Sequence, residues 1–301
     1  CLKYLHINFF PSVFSNIAYM IPMIIDYKLK LKSSIIHCGA KTVNDISNPK
    51  MPLVTIYTPV KNSADTLNKT IRSVINQDYK NIEYIVIDGK STDGTIDIIR
   101  KNENHIDKWI SEPDQGTSDA GNKALSLGKG TYFCLLNADD WIEYDYISQA
   151  ISMLVENDLD FVVGQTVLIN EAGEAIMKTK EPNMPFSKVI NRAGKFCYGQ
   201  IIPHKRCYEH IGLLDTSIKY SNDVDWLIRL YKAYEPKAKN NPKMRINRLV
   251  GGFAEANLMQ SVLETISVLK KHQLPIRHII FDHLCFILFR IWGKSIKFLL
   301  R

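Results

Sequence analysis

Paired cysteines are absent from this sequence of 301 residues, which carries six cysteines at wide and irregular spacings. It contains no CxxC motif, so neither a zinc site nor a disulfide framework is indicated. Unpaired cysteines are typical of a reducing compartment, and we expect a cytoplasmic protein. With 46% hydrophobic and 23% charged residues, the composition also excludes a disordered chain and a polytopic membrane protein.

The usual phosphate-binding loops are missing as well. No GxGxxG motif occurs, and the stretch GNKALSLGKGT (121–131) departs from a P-loop because six residues rather than four separate its first two glycines. Gly130 also follows Lys129, at the position where a P-loop has serine or threonine. A nucleotide bound by this protein would therefore depend on something other than a glycine-rich loop.

Long uninterrupted hydrophobic runs are scarce. Residues 4–25 are long enough to span a bilayer but contain two prolines and several polar residues, so we expect a helical or membrane-touching segment there. Residues 275–301 mix basic residues with aromatic residues and leucines. Two interpretations stay open for that segment: peripheral contact with the inner face of the cell membrane, or helices packed on this protein or on a second subunit of a homo-oligomer.

Short β-branched runs alternate with stretches of helical periodicity from residue 52 onwards. The runs LVTIYTPV (53–60), IEYIVID (82–88) and TYFCLLN (131–137) predict strands. This alternation predicts an α/β fold with a Rossmann-like, mostly parallel sheet flanked by helices. The run LDFVVGQTVLIN (159–170) predicts one or two further strands that continue the sheet in a less regular half.

The pattern divides the chain into three parts. Residues 1–50 have no periodicity long enough to define a domain and are predicted to be a helical N-terminal extension. Residues 51–255 contain the predicted sheet. Residues 256–301 are predicted to be a helical C-terminal tail.

Acidic residues stand where the predicted strands end. Asp88 closes the run IEYIVID, Asp114 lies in the loop SEPDQG (111–116) after the short run DKWI (107–110), and Asp139 and Asp140 follow the run TYFCLLN within CLLNADDWIE (134–143). Open α/β sheets bind ligands at the carboxyl ends of their strands, and carboxylates brought together there repel unless a cation compensates them. A single such residue could be an ordinary loop carboxylate, but the set predicts Mg²⁺ or Mn²⁺ shared with phosphate oxygens of a nucleoside diphosphate.

Four stretches, taken together and in order, resemble family 2 glycosyltransferases of the GT-A fold, and more narrowly the bacterial enzymes that build surface polysaccharides. They are TIYTPVKNSADTLNKTIRSVINQDY (55–79), IEYIVIDGKSTDGT (82–95), SEPDQGTSDAGNKALSLGKGTYFCLLNADDW (111–141) and YEHIGLLDTSIKYSNDVDWLIRL (208–230). The resemblance covers residues 52–255, so it implies that residues 51–255 form the GT-A domain.

The resemblance implies a nucleotide pocket at the ends of the first two strands. Thr58, Pro59 and Asn62 are expected to line this pocket. Asp88 is expected to accept hydrogen bonds from uracil or its ribose, which suits an ionised carboxylate. Further along, the segment DAGNKA (119–124) matches the family stretch beside the nucleotide and donor sugar, through its residues Asp119, Asn122 and Lys123.

The NADD segment (137–140) matches the family's DxD-like motif, in which the acidic pair holds the metal and hydroxyls of the donor. Many relatives begin this motif with aspartate, whereas this chain has Asn137. A neutral amide is a poorer metal ligand than a carboxylate. Asp140 is therefore the expected metal ligand, with Asp139 as a second ligand and as the partner of ribose or sugar hydroxyls.

The stretch YSNDVDW (220–226) matches the family's second acidic motif, and the resemblance implies that Asp223 is the general base. Inverting transfer needs such a base to remove the proton of the attacking acceptor hydroxyl. Asp225 lies two residues later, on a different face of a helix, and is the weaker candidate.

The predicted activity is the inverting, metal-dependent transfer of one sugar from a nucleotide-diphosphate sugar, expected to be a UDP-sugar, to a glycan or lipid-linked acceptor in polysaccharide biosynthesis. The QxxRW signature of processive relatives does not follow residue 226, so a single addition is expected. Nucleic acid is not an expected partner. Two alternatives are a sugar nucleotidyltransferase and a non-catalytic sugar-nucleotide-binding module of a polysaccharide assembly complex.

Overall fold

The computed structural model describes residues 31, 34–39, 51–178, 200–251 and 257–274. The segments 4–25 and 275–301, for which membrane contact was considered, lie outside the described residues. Within the described part, no helix has the length and apolar character needed to cross a membrane.

The described residues form ten strands, seven α-helices and one short 3-10 helix, Glu103–His105. The strands are β1 His37–Cys38, β2 Val54–Val60, β3 Ile82–Asp88, β4 Lys108–Ser111, β5 Tyr132–Leu135, β6 Asp140–Ile142, β7 Phe161–Ile169, β8 Ala175–Lys178, β9 Ile201–Pro203 and β10 Ala238–Leu249. The helices are α1 Ala64–Ile75, α2 Thr95–Lys101, α3 Thr117–Leu127, α4 Tyr146–Glu156, α5 Lys205–Ile211, α6 Asn222–Ala233 and α7 Leu258–Lys271.

The first sheet has the strand order β1-β4-β3-β2-β5. Strands β4, β3, β2 and β5 are parallel, and β1 adds an antiparallel edge. Strand β3 is buried along its whole length, as expected for a parallel strand covered on both faces. The predicted α/β fold is confirmed. The parallel register places Asp88 beside both Val60 and Ser111, at the edge of the sheet formed by the carboxyl ends of its strands.

The second half of the domain is a separate sheet with the order β6-β10-β7-β8, and β9 pairs with β7. Strand β10 runs parallel to β7 and antiparallel to β6. The expectation that the first sheet simply continues is therefore wrong. The physical reason is that β5 meets the residue after β9 through a single bridge, between Tyr132 and His204, rather than through a full ladder of hydrogen bonds.

One hydrophobic core serves both sheets. Ile56 and Cys134 from the first sheet belong to the same buried cluster as Ile142 and Met244 from the second. Each fully buried aliphatic side chain of this kind stabilises the fold by about 1.5–3 kcal/mol. The strand ends of both sheets are thereby held in a fixed relation.

Both predicted extensions contribute residues that contact the central domain. Strand β1 pairs with β4 at the edge of the first sheet. Helix α7 packs on α6, where Val268 and Leu269 share a small buried cluster with Ile218, Val224 and Ile228. The packing of α7 matters for the site, because α6 carries the candidate base.

Candidate active site

Asp88, the last residue of β3, is fully buried at the carboxyl edge of the first sheet. Its carboxylate accepts hydrogen bonds from the amide and the hydroxyl of Ser91 and, at 2.6 Å, from the hydroxyl of Ser111. Buried charges are tolerated when donors of this kind surround them. A carboxylate offers about four acceptor positions. The three donors from Ser91 and Ser111 fix the orientation of Asp88, and its contact with a nucleotide stays a prediction.

Thr58 and Pro59 lie near the end of β2, opposite Val86 and Ile87 of β3. Thr58 is fully buried, and its hydroxyl lies 3.0 Å from the Tyr84 hydroxyl. Pro59 is half-buried. Of these two, Pro59 is the one with surface left for a ligand.

Asn62 links the loop after β2 to the loop after β3. Its backbone is left-handed, with a φ of 51°, a conformation that asparagine adopts more readily than most residues. The backbone amide of Asn62 donates to the Ser91 hydroxyl at 2.8 Å, and its side-chain oxygen accepts from the backbone amide of Thr92 at 2.9 Å. Asp93, in the same loop, accepts from the first amides of both α1 and α2.

Asp114 brings a further carboxylate to the same edge. It lies directly against Gly89, because a Cβ at that glycine would stand only 2.7 Å from the Asp114 Oδ2. Burial raises the pKa of Asp114, against the opposing effects of the Gly116 amide and of Lys123. The residue after Asp88 is therefore glycine for a steric reason, and the loop 112–116 closes over it.

Lys123, on α3, fastens that loop. Its ammonium lies 2.8 Å from Glu112 and 3.5 Å from Asp119, and it donates to the Pro113 carbonyl at 3.3 Å. The side chain is mostly buried. Lys123 and Asp119 thus lie together beside the loop that closes over Gly89, and their contact with the nucleotide and donor sugar stays a prediction.

Asn122 is also fully buried on α3. Its side-chain nitrogen donates to the Leu214 carbonyl and its oxygen accepts from the Leu214 amide, both at 2.9 Å. These two bonds join α3 to the segment that leads to α6. The visible role of Asn122 is structural, and the donor contact implied for it stays a prediction.

Replacing Asn122 with alanine should destabilise the protein by about 2–4 kcal/mol, because a buried amide and a buried carbonyl each lose their partner. Urea unfolding would measure this loss. Asn157→Ala is the matched control, since this exposed asparagine bonds the Met153 carbonyl at a helix end, and its effect should stay within about 1 kcal/mol. Equal stabilities for the two variants would contradict the prediction.

The NADD segment (137–140) forms a tight turn between the two sheets, called the acidic turn below. The Asp140 amide donates to the Asn137 carbonyl at 3.1 Å, and the Asn137 side-chain nitrogen donates to Asp140 Oδ2 at 3.0 Å. Beneath the turn, the Thr70 hydroxyl on α1 lies 2.9 Å from the Ala138 carbonyl and 2.7 Å from the Asp140 carbonyl. Asn137 therefore orients the Asp140 carboxylate.

Asp140 is 2% exposed, and its Oδ1 has no hydrogen-bond partner among the described residues. Burial raises the pKa of this carboxyl to about 7, and the neighbouring charge of Asp139 acts in the same direction. Arg248, opposite Asp140 in the β6–β10 pair, and Asn137 oppose the shift. A buried carboxylate oxygen without a donor is costly, which is the expected signature of a ligand position.

The residues at this turn fit a hard divalent cation. Asp140 supplies the unpartnered oxygen, and Asp139 lies next to it and is half-buried. The described residues contain no group of three or more acidic, histidine or cysteine side chains arranged for a metal. Two carboxylates are the donor set that magnesium takes when waters and substrate phosphates complete its shell.

Asp223 and Asp225 lie in the first turn of α6 but in different surroundings. Asp223 is half-buried, and its Oδ1 accepts from the Val224 amide at 2.8 Å. Asp225 is fully buried, 2.7 Å from Arg229 and 3.2 Å from Lys271. Burial alone would raise the pKa of Asp225, yet these cations and His272 hold it below the usual range. Asp225 is an ion-pair anchor, and Asp223 stays the candidate base.

Several contributors to the site were not predicted. Ser91 and Ser111 hold Asp88, and Thr70 and Arg248 flank the acidic turn. Ser91 could have been found from its position three residues after an aspartate in a turn, a common local hydrogen bond. The other three depend on contacts between distant segments.

Comparison with known proteins agrees with this architecture. The model of the family described as glycosyl transferase family 2 matches residues 55–213. The Escherichia coli protein UDP-Glc:alpha-D-GlcNAc-diphosphoundecaprenol beta-1,3-glucosyltransferase WfaP is 30% identical over 235 residues, which are 76% of this chain and 90% of that protein. Glycosyltransferase GlyA of Streptococcus pneumoniae is 35% identical over 121 residues, 40% of this chain and 17% of that protein. This chain thus spans 17% to 52% of the length of some curated relatives that it matches.

Among solved structures, the mannosyltransferase PcManGT from Pyrobaculum calidifontis, in complex with GDP-Man and Mn2+, is similar with a TM-score of 0.57. The likeness covers 87% of this chain and 72% of that one at 18% identity. It shows that the two proteins share a fold, the GT-A fold of this class of transferase. The family match over more than half of the chain and the 30% identity to WfaP establish that the chain belongs to glycosyltransferase family 2.

Proposed function

We propose that this glycosyltransferase moves one sugar, with inversion, from a UDP-sugar to a lipid-linked or glycan acceptor in polysaccharide biosynthesis, and that it depends on Mg²⁺ or Mn²⁺. The observation that carries the proposal is the acidic turn, where Asp140 is buried and keeps one oxygen without a partner among the described residues. The name of the relative WfaP specifies UDP-Glc as donor and a diphosphoundecaprenol-linked sugar as acceptor, which supports the donor and acceptor classes.

Asp140 and Asp139 would hold the cation. When bound, it supplies positive charge beside the diphosphate that leaves, in the role that a general acid would otherwise have. The structure of the similar mannosyltransferase PcManGT is a complex that contains Mn2+, which supports this choice of ion.

Asp88, Pro59 and Asn62 would bind the donor. Asp88 is oriented by Ser91 and Ser111 to accept from the base or ribose. Pro59 and Asn62 lie at the same end of the sheet, near Asp88. Because these side chains or their loops are hydrogen-bonded before any donor arrives, little ordering entropy remains to be lost on binding.

Asp223 is proposed to take the proton from the acceptor hydroxyl. The hydroxyl oxygen then attacks the anomeric carbon, and the bond between that carbon and the donor's diphosphate oxygen breaks. The displaced group leaves as UDP, and attack from the opposite face inverts the anomeric configuration.

The proposal is tested with the full chain, UDP-sugars or GDP-mannose, and a synthetic lipid-diphosphate sugar as acceptor, with Mn²⁺ or with EDTA. Transfer should require Mn²⁺, give an inverted linkage by NMR, and disappear in Asp140→Ala. UDP binding without turnover on any donor would indicate a non-catalytic module. Release of pyrophosphate from UTP and a sugar phosphate would indicate a nucleotidyltransferase.

A further inference from the structure

The loop before α6 is held by one side chain from α7. Glu264 accepts hydrogen bonds from three successive backbone amides, those of Lys219, Tyr220 and Ser221, with distances of 2.9 Å to the first and the last. Three converging amides are the kind of backbone concavity that binds anions. The carboxylate of Glu264 occupies it from within the same chain, two residues before Asp223.

A second contact joins the same two elements closer to the helix. The buried hydroxyls of Ser221 and Thr265 lie 2.7 Å apart, and Thr265 also donates to the Ser261 carbonyl of its own helix. Ser221 is the residue immediately before α6. The start of α6 is therefore fixed to α7 through both its backbone and its side chain.

From the opposite side, α3 holds the same loop. The side-chain nitrogen of Asn222 donates to the Ser118 hydroxyl at 2.8 Å, and that hydroxyl donates to the Ile218 carbonyl at 3.0 Å. Helix α3 also carries Asp119 and Lys123, the predicted donor-side residues. The candidate base thus begins a helix that is held between the donor side and α7.

We infer that Glu264 is a positioning residue for catalysis: it sets the direction of the first turn of α6 and thereby aims Asp223 at the acceptor hydroxyl. This inference rests on the proposed function, in which Asp223 is the base. In this scheme the Glu264 carboxylate contacts the backbone of the loop 219–221, and it touches neither donor nor acceptor. Proton removal requires hydrogen-bond reach and alignment, so a small rotation of this turn changes the rate more than it changes donor binding.

Glu264→Gln tests the inference, since it keeps the size of the side chain but replaces an acceptor oxygen with an amide nitrogen that faces backbone N–H groups. We expect kcat for transfer to fall by about 10- to 100-fold, the effect of a misplacement near 1 Å. KM for the donor should stay within about twofold, because the proposed donor contacts of Asp88 and its neighbouring loops lie on elements that Glu264 does not hold. A purely stabilising role would lower the melting temperature and leave kcat unchanged.

Two further variants make the test decisive. Glu209→Gln is the control, because Glu209 is an exposed helical glutamate whose ion pair among the described residues is a 3.8 Å contact to Lys205. The kcat of this variant should match that of the wild type. Thr265→Val removes the hydroxyl contact to Ser221 at nearly constant volume. It should lower kcat in the same direction, by about 3- to 10-fold, and it replaces Glu264→Gln if that variant does not fold.

The outcomes separate the inference from the proposed function. If the wild type transfers sugar and Asp223→Asn does not, but folded Glu264→Gln and Thr265→Val keep wild-type kcat, the inference alone is overturned. If the wild type transfers no sugar, or if Asp223→Asn transfers normally, the proposed function fails and the inference fails with it. A lower kcat with unchanged donor KM in both α7 variants supports it.

Discussion

Replacing Asp140 with asparagine is expected to abolish sugar transfer and, without metal, to make the protein more stable at pH 8. Burial raises the pKa of this carboxyl to about 7, whereas an aspartate in an unfolded chain titrates near about 4. Folding therefore favours the protonated form. The contribution of Asp140 to stability is greatest below about pH 4 and is lost as the pH rises through about 7.

The size of the stability gain in Asp140→Asn follows from the raised pKa of Asp140. A pKa that rises from about 4 to about 7 corresponds to about 4 kcal/mol of unfolding free energy at most, and water penetration or local relaxation reduces this energy. Asparagine has nearly the same shape and carries no charge. In EDTA at pH 8, we expect the Asp140→Asn melting temperature to exceed that of the wild type by several degrees, about 2–4 °C per kcal/mol. Near pH 4 the difference should vanish.

The activity of this variant should fall by about a thousandfold or more, a loss comparable to removing a main electrostatic contributor to an active site. Asp97→Asn provides the control, because Asp97 is exposed and its ion pair within the described part of the chain is a 3.8 Å contact to Arg100. Calorimetry in EDTA and a UDP-release assay in Mn²⁺ measure the two effects. An Asp140→Asn protein that is less stable than the wild type at pH 8, or that keeps its activity, would count against the ligand role.

The second large effect separates two carboxylates that are neighbours in the sequence. Asp223→Asn is expected to lower transfer by about 10²- to 10⁴-fold, the usual contribution of a general base, with little change in stability or in UDP affinity. Asp225→Asn is expected to lower stability by about 3–5 kcal/mol, because Arg229 and Lys271 lose the buried carboxylate between them.

Three measurements on the pair decide the matter: kcat for transfer, UDP affinity by calorimetry and the urea midpoint. The prediction requires opposite patterns, with activity lost in one variant and stability lost in the other. If Asp225→Asn proved stable and inactive while Asp223→Asn remained active, the assignment of the base would be reversed.

The central strands of the first sheet, β2 and β3, were predictable because each is a short run rich in β-branched residues and is followed by a helix. Strand β1 was not predicted, since its two residues lie in the segment predicted to be an N-terminal extension. The second sheet was not predictable. Strand β10, with the sequence AKNNPKMRINRL, is largely polar and shows no clean alternation, and only four of its twelve residues are buried. It exists because it pairs with β7 on one side and β6 on the other, and such long-range pairing leaves little local signal.

The candidate site likewise has a part that the sequence indicated and a part that it did not. Motif resemblance indicated Asp88, Asp140 and Asp223 as candidates, since chemistry restricts which residue types can serve at those positions, and their roles stay predictions. It gave no hint that Asn122 binds the backbone of Leu214, 92 residues away. Glu264 was hidden for the same reason, because it belongs to a segment predicted only as a helical tail and its partners lie more than 40 residues earlier.

Only four residues, 136–139, separate the end of β5 from the start of β6, so the acidic turn is the passage from one sheet to the other. The core on either side of this passage is shared. The proposed donor site is therefore not modular: a fragment ending after β5 would lose both the acidic turn and about half of the shared core. A chimaera that joins residues up to β5 of this protein to the second half of another family member should fold only if the buried residues shared by the two sheets are exchanged together.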